Sequence, residues 1–136
     1  LMFAYGEATV PKVTVTLRKS YGGAHCVMSS KQLRGDFNYA WPTAEIAVMG
    51  AAGAIEVLEG RAISKIENAE EKAKFIADKT AEYNDKFANP YMAASYGYID
   101  DVIEPRNTRF RVIRAFQALQ TKKQVNPLKK HSNIPL

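Results

Sequence analysis

The chain is poor in the residues that build metal and redox sites. Its 136 residues include one cysteine, Cys26, and two histidines. A single cysteine cannot close an internal disulfide, and this set is too small for a zinc cluster. No bound metal is expected, and a reducing, cytoplasm-like compartment fits. No run of about 18 apolar residues occurs, so no membrane-spanning helix and no direct membrane insertion are expected. The start has no charged segment leading into an apolar run and cleavage site, so no secretory leader is expected. Neither of the glycine-rich nucleotide-loop patterns, GxxxxGKS/T and GxGxxG, is present. Internal repeats and low-complexity segments are also missing.

Acids are missing from one end. After Glu104 there is none, while Arg106, Arg109, Arg111, Arg114, Lys122, Lys123, Lys129 and Lys130 follow. The net charge is +5, so the rest of the chain is slightly acidic. A basic end can serve nucleic acid, an anionic cofactor or an acidic partner, or be a solvated helix face. Its aromatics are Phe110 and Phe116, and both suit the core side of a helix, which argues against nucleic acid. Apolar residues make up 46% of the chain, enough for the core of one domain.

Local patterning gives an α/β reading. LMFAYGEAT reads as the end of an amphipathic helix broken before Pro11, and a chain that opens within a helix implies a preceding segment. Val13, Val15 and Leu17 alternate with Thr14, Thr16 and Arg18, a strand pattern. A short helix follows Gly22-Gly23. FNYAW and AEIAVM are short strand-like runs separated by Pro42-Thr43. Gly50 and Gly53, with alanines around them, predict a turn into a closely packed helix. Residues 63–87 read as one long surface helix with Glu70–Lys74 and Glu82–Lys86 pairs, stopped at Asn89-Pro90. A short helix, a break at Gly97 and an apolar run come next. Thr108 is the expected cap of a last helix whose apolar face carries Val112, Ile113, Phe116 and Leu119. NPLKKHSNIPL reads as a tail.

The stretch Tyr21-Gly22-Gly23-Ala24-His25-Cys26 admits several chemistries. A Cys/His nucleophile pair is disfavoured: neighbours on a helix point about 100° apart and need not meet. A free cysteine in such a place is usually a small packing residue. A strand end followed by Gly-Gly at a helix start can be a plain turn, an anion-binding turn, or an oxyanion hole in which backbone amides face an oxygen that gains charge. The amides in question are those of Gly23 and Ala24. The pattern alone leaves these open.

EATVPKVTVTLRKSYGGAHCVMSSK, NYAWPTAEIAVMGAAGAIEVL, KFANPYMAASYGYIDDVIEPRNTR and the ending KKHSNIPL closely resemble the carboxyltransferase (beta) subunits of biotin-dependent acyl-CoA carboxylases, above all those of the propionyl-CoA carboxylase type. The carboxyltransferase units of sodium-pump acyl-CoA decarboxylases are the nearest rival. The resemblance implies a crotonase-like ββα superhelix. It places residues 1–136 in the C-terminal, biotin-side domain, incomplete at its start, with an N-terminal acyl-CoA-binding domain absent. The implied reaction moves a carboxyl group from carboxybiotin to the α-carbon of a short-chain acyl-CoA, propionyl-CoA to methylmalonyl-CoA foremost. Biotin would arrive on a biotin carboxylase or carrier partner, no metal would be needed, and the assembly would be a dimer-based homo-oligomer, a hexamer in the family. The compartment would be the bacterial cytoplasm or the mitochondrial matrix.

On the same resemblance, Gly23 and Ala24 supply the biotin oxyanion hole, and Tyr21, Gly22, His25 and Cys26 line the pocket. The chain departs from the family at the wall: members commonly read GGAYD where this sequence has Gly22-Gly23-Ala24-His25-Cys26. A neutral thiol at a position that tunes acyl-chain choice opens the way to acetyl or butyryl chains, or marks the decarboxylase branch. With half of each composite site elsewhere, the segment alone is expected to be inactive and to act as an assembly or binding module. Glu45 lies in an apolar run and is expected to have a partner. Asp100 and Asp101 are expected to face opposite ways as caps or interface partners. Tyr39, Trp41 and Pro42 read as core and turn residues.

Overall fold

The β-forming run after Pro11 does not stay one strand. The computed structural model describes residues 1–126, and in it Val13–Thr16 forms β1, after which the chain bends at Leu17 and Arg18 into a separate strand, β2 (Lys19–Tyr21). The next strand pair repeats the move: β3 (Phe37–Ala40) bends through Trp41–Ala44 into β4 (Glu45–Ala47). The Thr43 hydroxyl donates to the Leu17 carbonyl at 3.1 Å, tying the two bends together. β1, β3 and β5 (Asp101–Val102) make one parallel sheet in the order β1-β3-β5, and β2 and β4 make a second. Each bent pair feeds a helix, α2 (Gly22–Val27) after β2 and α3 (Ala51–Ile63) after β4. This is the expected ββα order, stacked twice.

The expected alternation of β1 is blurred by packing on both sides, for all four residues are half-buried. Val13 and Val15 pack with Tyr39, Ile103 and Ala115. On the other face the Thr14 hydroxyl donates to the Ser29 carbonyl at 3.0 Å. β3 is central, and Asn38, Tyr39 and Ala40 are all buried. Ala40, Ala44, Ile46, Ala93 and Ile99 form a second core of mostly small side chains, which lets strands and helix approach closely.

The long helix predicted over 63–87 is shorter. It is α4, Ala69–Lys86, and Ile63 ends α3 while Ile66 lies in the link between them. Asn68 makes the boundary: its side-chain oxygen accepts from the Glu70 and Glu71 amides at 2.9 and 3.5 Å. Glu82 does pair with Lys86, at 2.7 Å, and also with Lys79 at 2.9 Å. Asn89 opens the next helix, α5 (Pro90–Ser95), accepting from the Met92 amide at 2.9 Å with Pro90 in the first turn.

Thr108 is not a cap either. It is the first residue of α6 (Thr108–Ala118), and its hydroxyl accepts from the Trp41 indole Nε1–H at 2.9 Å. The α6 face that meets the sheet runs through half-buried Val112, buried Ala115 and half-buried Leu119. Ile113 and Phe116, expected in the core, are 45% and 46% exposed, and Phe110 is 56% exposed. They sit around the helix from the Ala115 line, where no described residue covers them. Asp100 and Asp101 diverge as expected: Asp100 pairs with Lys31 and accepts from the Asn38 amide at 2.8 Å, while Asp101 pairs with Arg111.

Near the N-terminus, α1 (Met2–Glu7) is held by its C-terminal carbonyls. Lys12 Nζ donates to Tyr5 O at 2.7 Å, Arg34 Nη1 to Gly6 O at 3.3 Å and Asn126 Nδ2 to Glu7 O at 2.7 Å. Half-buried Asp36 joins them, accepting from the Lys12 amide at 2.7 Å and from Lys122 Nζ at 2.8 Å. Lys129, Lys130 and the NPLKKHSNIPL tail from Pro127 onward lie outside the described residues.

Candidate active site

The second strand of the first ββα unit ends on Tyr21, and the chain turns sharply into α2. Gly22 makes that turn with φ +50°, and a Cβ there would lie 2.8 Å from the Val48 carbonyl oxygen. Both facts exclude a side chain. Gly23 and Ala24 follow at the first turn of α2, and both are exposed. No side chain caps this helix, and among the described residues neither amide has an acceptor. The first amides of any helix lack an intrahelical partner, so two N–H donors stand open at the surface of the turn. A Cβ on Gly23 would meet nothing within 4 Å, so the space in front of that residue is free.

A cavity of about 500 Å³ adjoins the turn. It is lined by Gly22, His25 and Cys26 together with Tyr83, Phe87 and Tyr98, so the wall is mainly apolar, and no carboxylate of the described residues lines it. His25 Nδ1 shares a hydrogen bond with Ser20 Oγ at 2.9 Å. Its Nε2 is shielded from solvent and has no partner among the described residues. Burial lowers the His25 pKa below its ordinary 6.5, so the ring is neutral near pH 7. Cys26 is a free, half-buried thiol.

Tyr21 goes elsewhere. Its ring packs under Gly50, where a Cβ would come within 3.2 Å of the ring, and its hydroxyl donates to Glu45. Burial first, then the hydrogen bond and charge of Glu45, push the phenol up to about 12. Glu45 has the partner that its place in an apolar run predicts. So Gly22, His25 and Cys26 share the cavity, Gly23 and Ala24 offer amides beside it, and Tyr21 braces the turn from a separate depression lined with Arg18, Glu45 and Gly50.

Three features of the site were not expected from the sequence: the Ser20 contact to His25, the Val48 carbonyl against Gly22, and the aromatic wall. Tyr83 in the last turn of α4 and Phe87 just past its end are four apart, and in the sequence they read simply as a core face. Tyr83 in fact reaches the β4–α3 turn, its hydroxyl donating to the Met49 carbonyl at 3.1 Å. Among the described residues no three of His, Cys, Asp and Glu gather as metal ligands, and no helix is long and apolar enough to cross a membrane.

Stacked ββα units, each bent strand pair feeding a helix, make this a crotonase-like α/β fold. The family model for the carboxyl transferase domain matches residues 1–134, and the chain belongs to that family. It is 61% identical over its whole length to the propionyl-CoA carboxylase beta chain of Cereibacter sphaeroides, covering 25% of that protein. It is 51% identical, again over all of its length, to the methylmalonyl-CoA decarboxylase subunit alpha of Propionigenium modestum, covering 26% of it. The crystal structure of transcarboxylase 12S, a hexamer with methylmalonyl-coenzyme A bound, superposes with a TM-score of 0.88 at 46% identity over 99% of this chain and 25% of that one. The chain thus spans about a quarter of the length of the relatives it matches.

Proposed function

We propose that this chain is the biotin-side part of a carboxyltransferase, which in the whole protein carries a carboxyl group from carboxybiotin to the α-carbon of a short-chain acyl-CoA, propionyl-CoA foremost. The observation that carries the reading is the pair of unpartnered Gly23 and Ala24 amides at the open start of α2. The donor set fits a biotin headgroup: two neutral N–H groups beside a cavity with no carboxylate of the described residues in its wall. Biotin, when bound, supplies the activated carboxyl group. This chain's residues hold and shelter. Gly23 and Ala24 stabilise an oxygen as it gains negative charge, a contribution of about 3 kcal/mol per donor in comparable holes. Gly22 aims them by the turn that only glycine makes here. His25, Cys26 and the aromatic wall limit water, which strengthens each polar contact inside.

Under this reading the acyl-CoA thioester is bound mainly by an N-terminal domain, and the complete site forms between subunits of a homo-oligomer. Biotin arrives on a biotin carboxylase or carrier partner, in the bacterial cytoplasm or the mitochondrial matrix. The exposed Phe110, Ile113 and Phe116 of α6 are in keeping with assembly, and the segment by itself is then a non-catalytic module. A second reading, a methylmalonyl-CoA decarboxylase subunit of a sodium pump, draws on the 51% identity to the Propionigenium modestum subunit and on the neutral thiol of Cys26.

The test is carboxyl transfer from methylmalonyl-CoA to free biotin, by the segment alone and by a chain of its relatives' full length that carries these residues. Transfer only by the long chain, lost in Gly23→Pro, which lacks the amide, is the expected result. A folded full-length chain that transfers nothing from methylmalonyl-CoA or malonyl-CoA would overturn the proposal.

A further inference from the structure

The turn that bears the two amides has no side-chain cap of its own, since α2 is only six residues long and no side chain bonds to its first turn. It does have a brace across its mouth. Ser20 lies in β2, where it pairs in register with Ile46 of β4, and is therefore fixed by a sheet. His25 lies in α2. The 2.9 Å contact between Ser20 Oγ and His25 Nδ1 links residues five apart and closes a loop around Tyr21, Gly22, Gly23 and Ala24. Either atom can carry the shared proton, and the link is the same.

We infer that Ser20 and His25 form a clasp that positions the Gly23 and Ala24 amides, so that His25 serves the reaction through the backbone rather than by moving a proton. Three observations favour the clasp over a proton-transfer role. The ring offers Nδ1 to Ser20, and its other nitrogen is shielded from solvent with no partner among the described residues. The charged ring is also disfavoured where it sits. Without the clasp the α2 start is held by the Gly22 turn, the backbone and the Tyr21 brace before it, and small misplacement of a donor is enough to slow a reaction that depends on it.

The inference rests on the carboxyltransferase reading, and its test keeps the two apart. Ser20→Ala, His25→Asn and His25→Gln are made in the full-length chain. Asparagine presents a side-chain oxygen where Nδ1 was, within reach of Ser20, whereas glutamine reaches toward the place of Nε2. A positioning clasp predicts that Ser20→Ala and His25→Gln lower kcat for carboxyl transfer about ten-fold with little change in the thioester KM, and that His25→Asn recovers most of the rate. Combining Ser20→Ala with His25→Asn should cost no more than Ser20→Ala alone. Hydrogen exchange of the peptide over residues 21–27 should quicken in Ser20→Ala and not in His25→Asn. Unchanged exchange and unchanged kcat in Ser20→Ala would overturn the clasp. Equal losses in His25→Asn and His25→Gln, with Ser20→Ala fully active, would overturn it in favour of a direct role for the ring. An inactive parent chain would overturn the carboxyltransferase reading, and the exchange data would still decide whether the clasp holds the turn.

Discussion

Gly22 and Gly23 are neighbours, yet replacing each by alanine should change stability in opposite directions. At Gly22 the backbone is left-handed, φ +50°, which costs an L-residue about 1–2 kcal/mol. The new Cβ would also lie 2.8 Å from the Val48 carbonyl oxygen, a backbone atom that moves only if the end of β4 moves. Adding about 1 kcal/mol for that shift brings the expected loss to roughly 2–3 kcal/mol. At Gly23 the new methyl meets nothing, and alanine in a helical turn is favoured over glycine by roughly 0.5–1 kcal/mol. Equilibrium denaturation in urea, with hydrogen exchange over residues 21–27 to localise the change, measures both in the full-length chain. Function should split differently: the Gly23 methyl fills the space a ligand needs, so Gly23→Ala should raise the KM for biotin while keeping the fold. Equal stability effects at the two positions, or a neutral Gly22→Ala, would refute the account of the turn.

The other expectations concern the scaffold. Asn68→Ala removes the cap of α4 and should lower stability by about 1 kcal/mol in urea denaturation, with the loss confined to α4 amides in hydrogen exchange. Trp41→Phe breaks the bond to Thr108, and a double-mutant cycle with Thr108→Val should give a coupling of about 1 kcal/mol. Burial pushes the Asp36 carboxyl up, but the bonds from Lys122 and the Lys12 amide, and the charges of both lysines, outweigh it and hold the pKa below the ordinary 3.8. Its contribution is therefore complete above that value and is lost as the pH falls through the lowered one, so Asp36→Asn should flatten the acid limb of a stability profile. His25 is lowered by burial, so the unfolded chain takes up its proton first; stability should decline as the pH falls below 6.5, and His25→Gln should lack that slope.

The sequence discloses the α/β class, and its glycines announce the turn, because strand periodicity and the demands of a left-handed residue are local. Val13, Val15 and the Gly22-Gly23 pair carry that information by themselves. The bend at Leu17 does not show, since nothing in TLRK marks the point where one sheet yields to another; the parallel partners β3 and β4 decide it from more than twenty residues away. Asn68 was hidden among charges that continue a helical pattern on both sides. Thr108 has the right chemistry for a cap, but a tertiary partner, Trp41, claims its hydroxyl. Ile113 and Phe116 have the spacing of a core face, and only the fold reveals that the contact line follows Ala115. The site was legible as a set of options, and the resemblance, not the pattern, selected among them.

A main-chain N–H is not encoded by any one codon. Every residue but proline supplies it, so the donors at the head of α2 are inherited almost independently of what is written at Gly23 and Ala24. The walls are different, because each side chain facing the cavity is open to revision. Lineages can therefore exchange the thiol at position 26, and with it the ligand they admit, without rebuilding the turn, whereas a change at His25 also removes the bond to Ser20. The burden of constancy falls on Gly22, where the Val48 carbonyl leaves no room for any other residue. Diversification in such a unit should run along the pocket wall and stop at the glycine pair, Gly22 for want of room in the fold and Gly23 for the room its ligand needs.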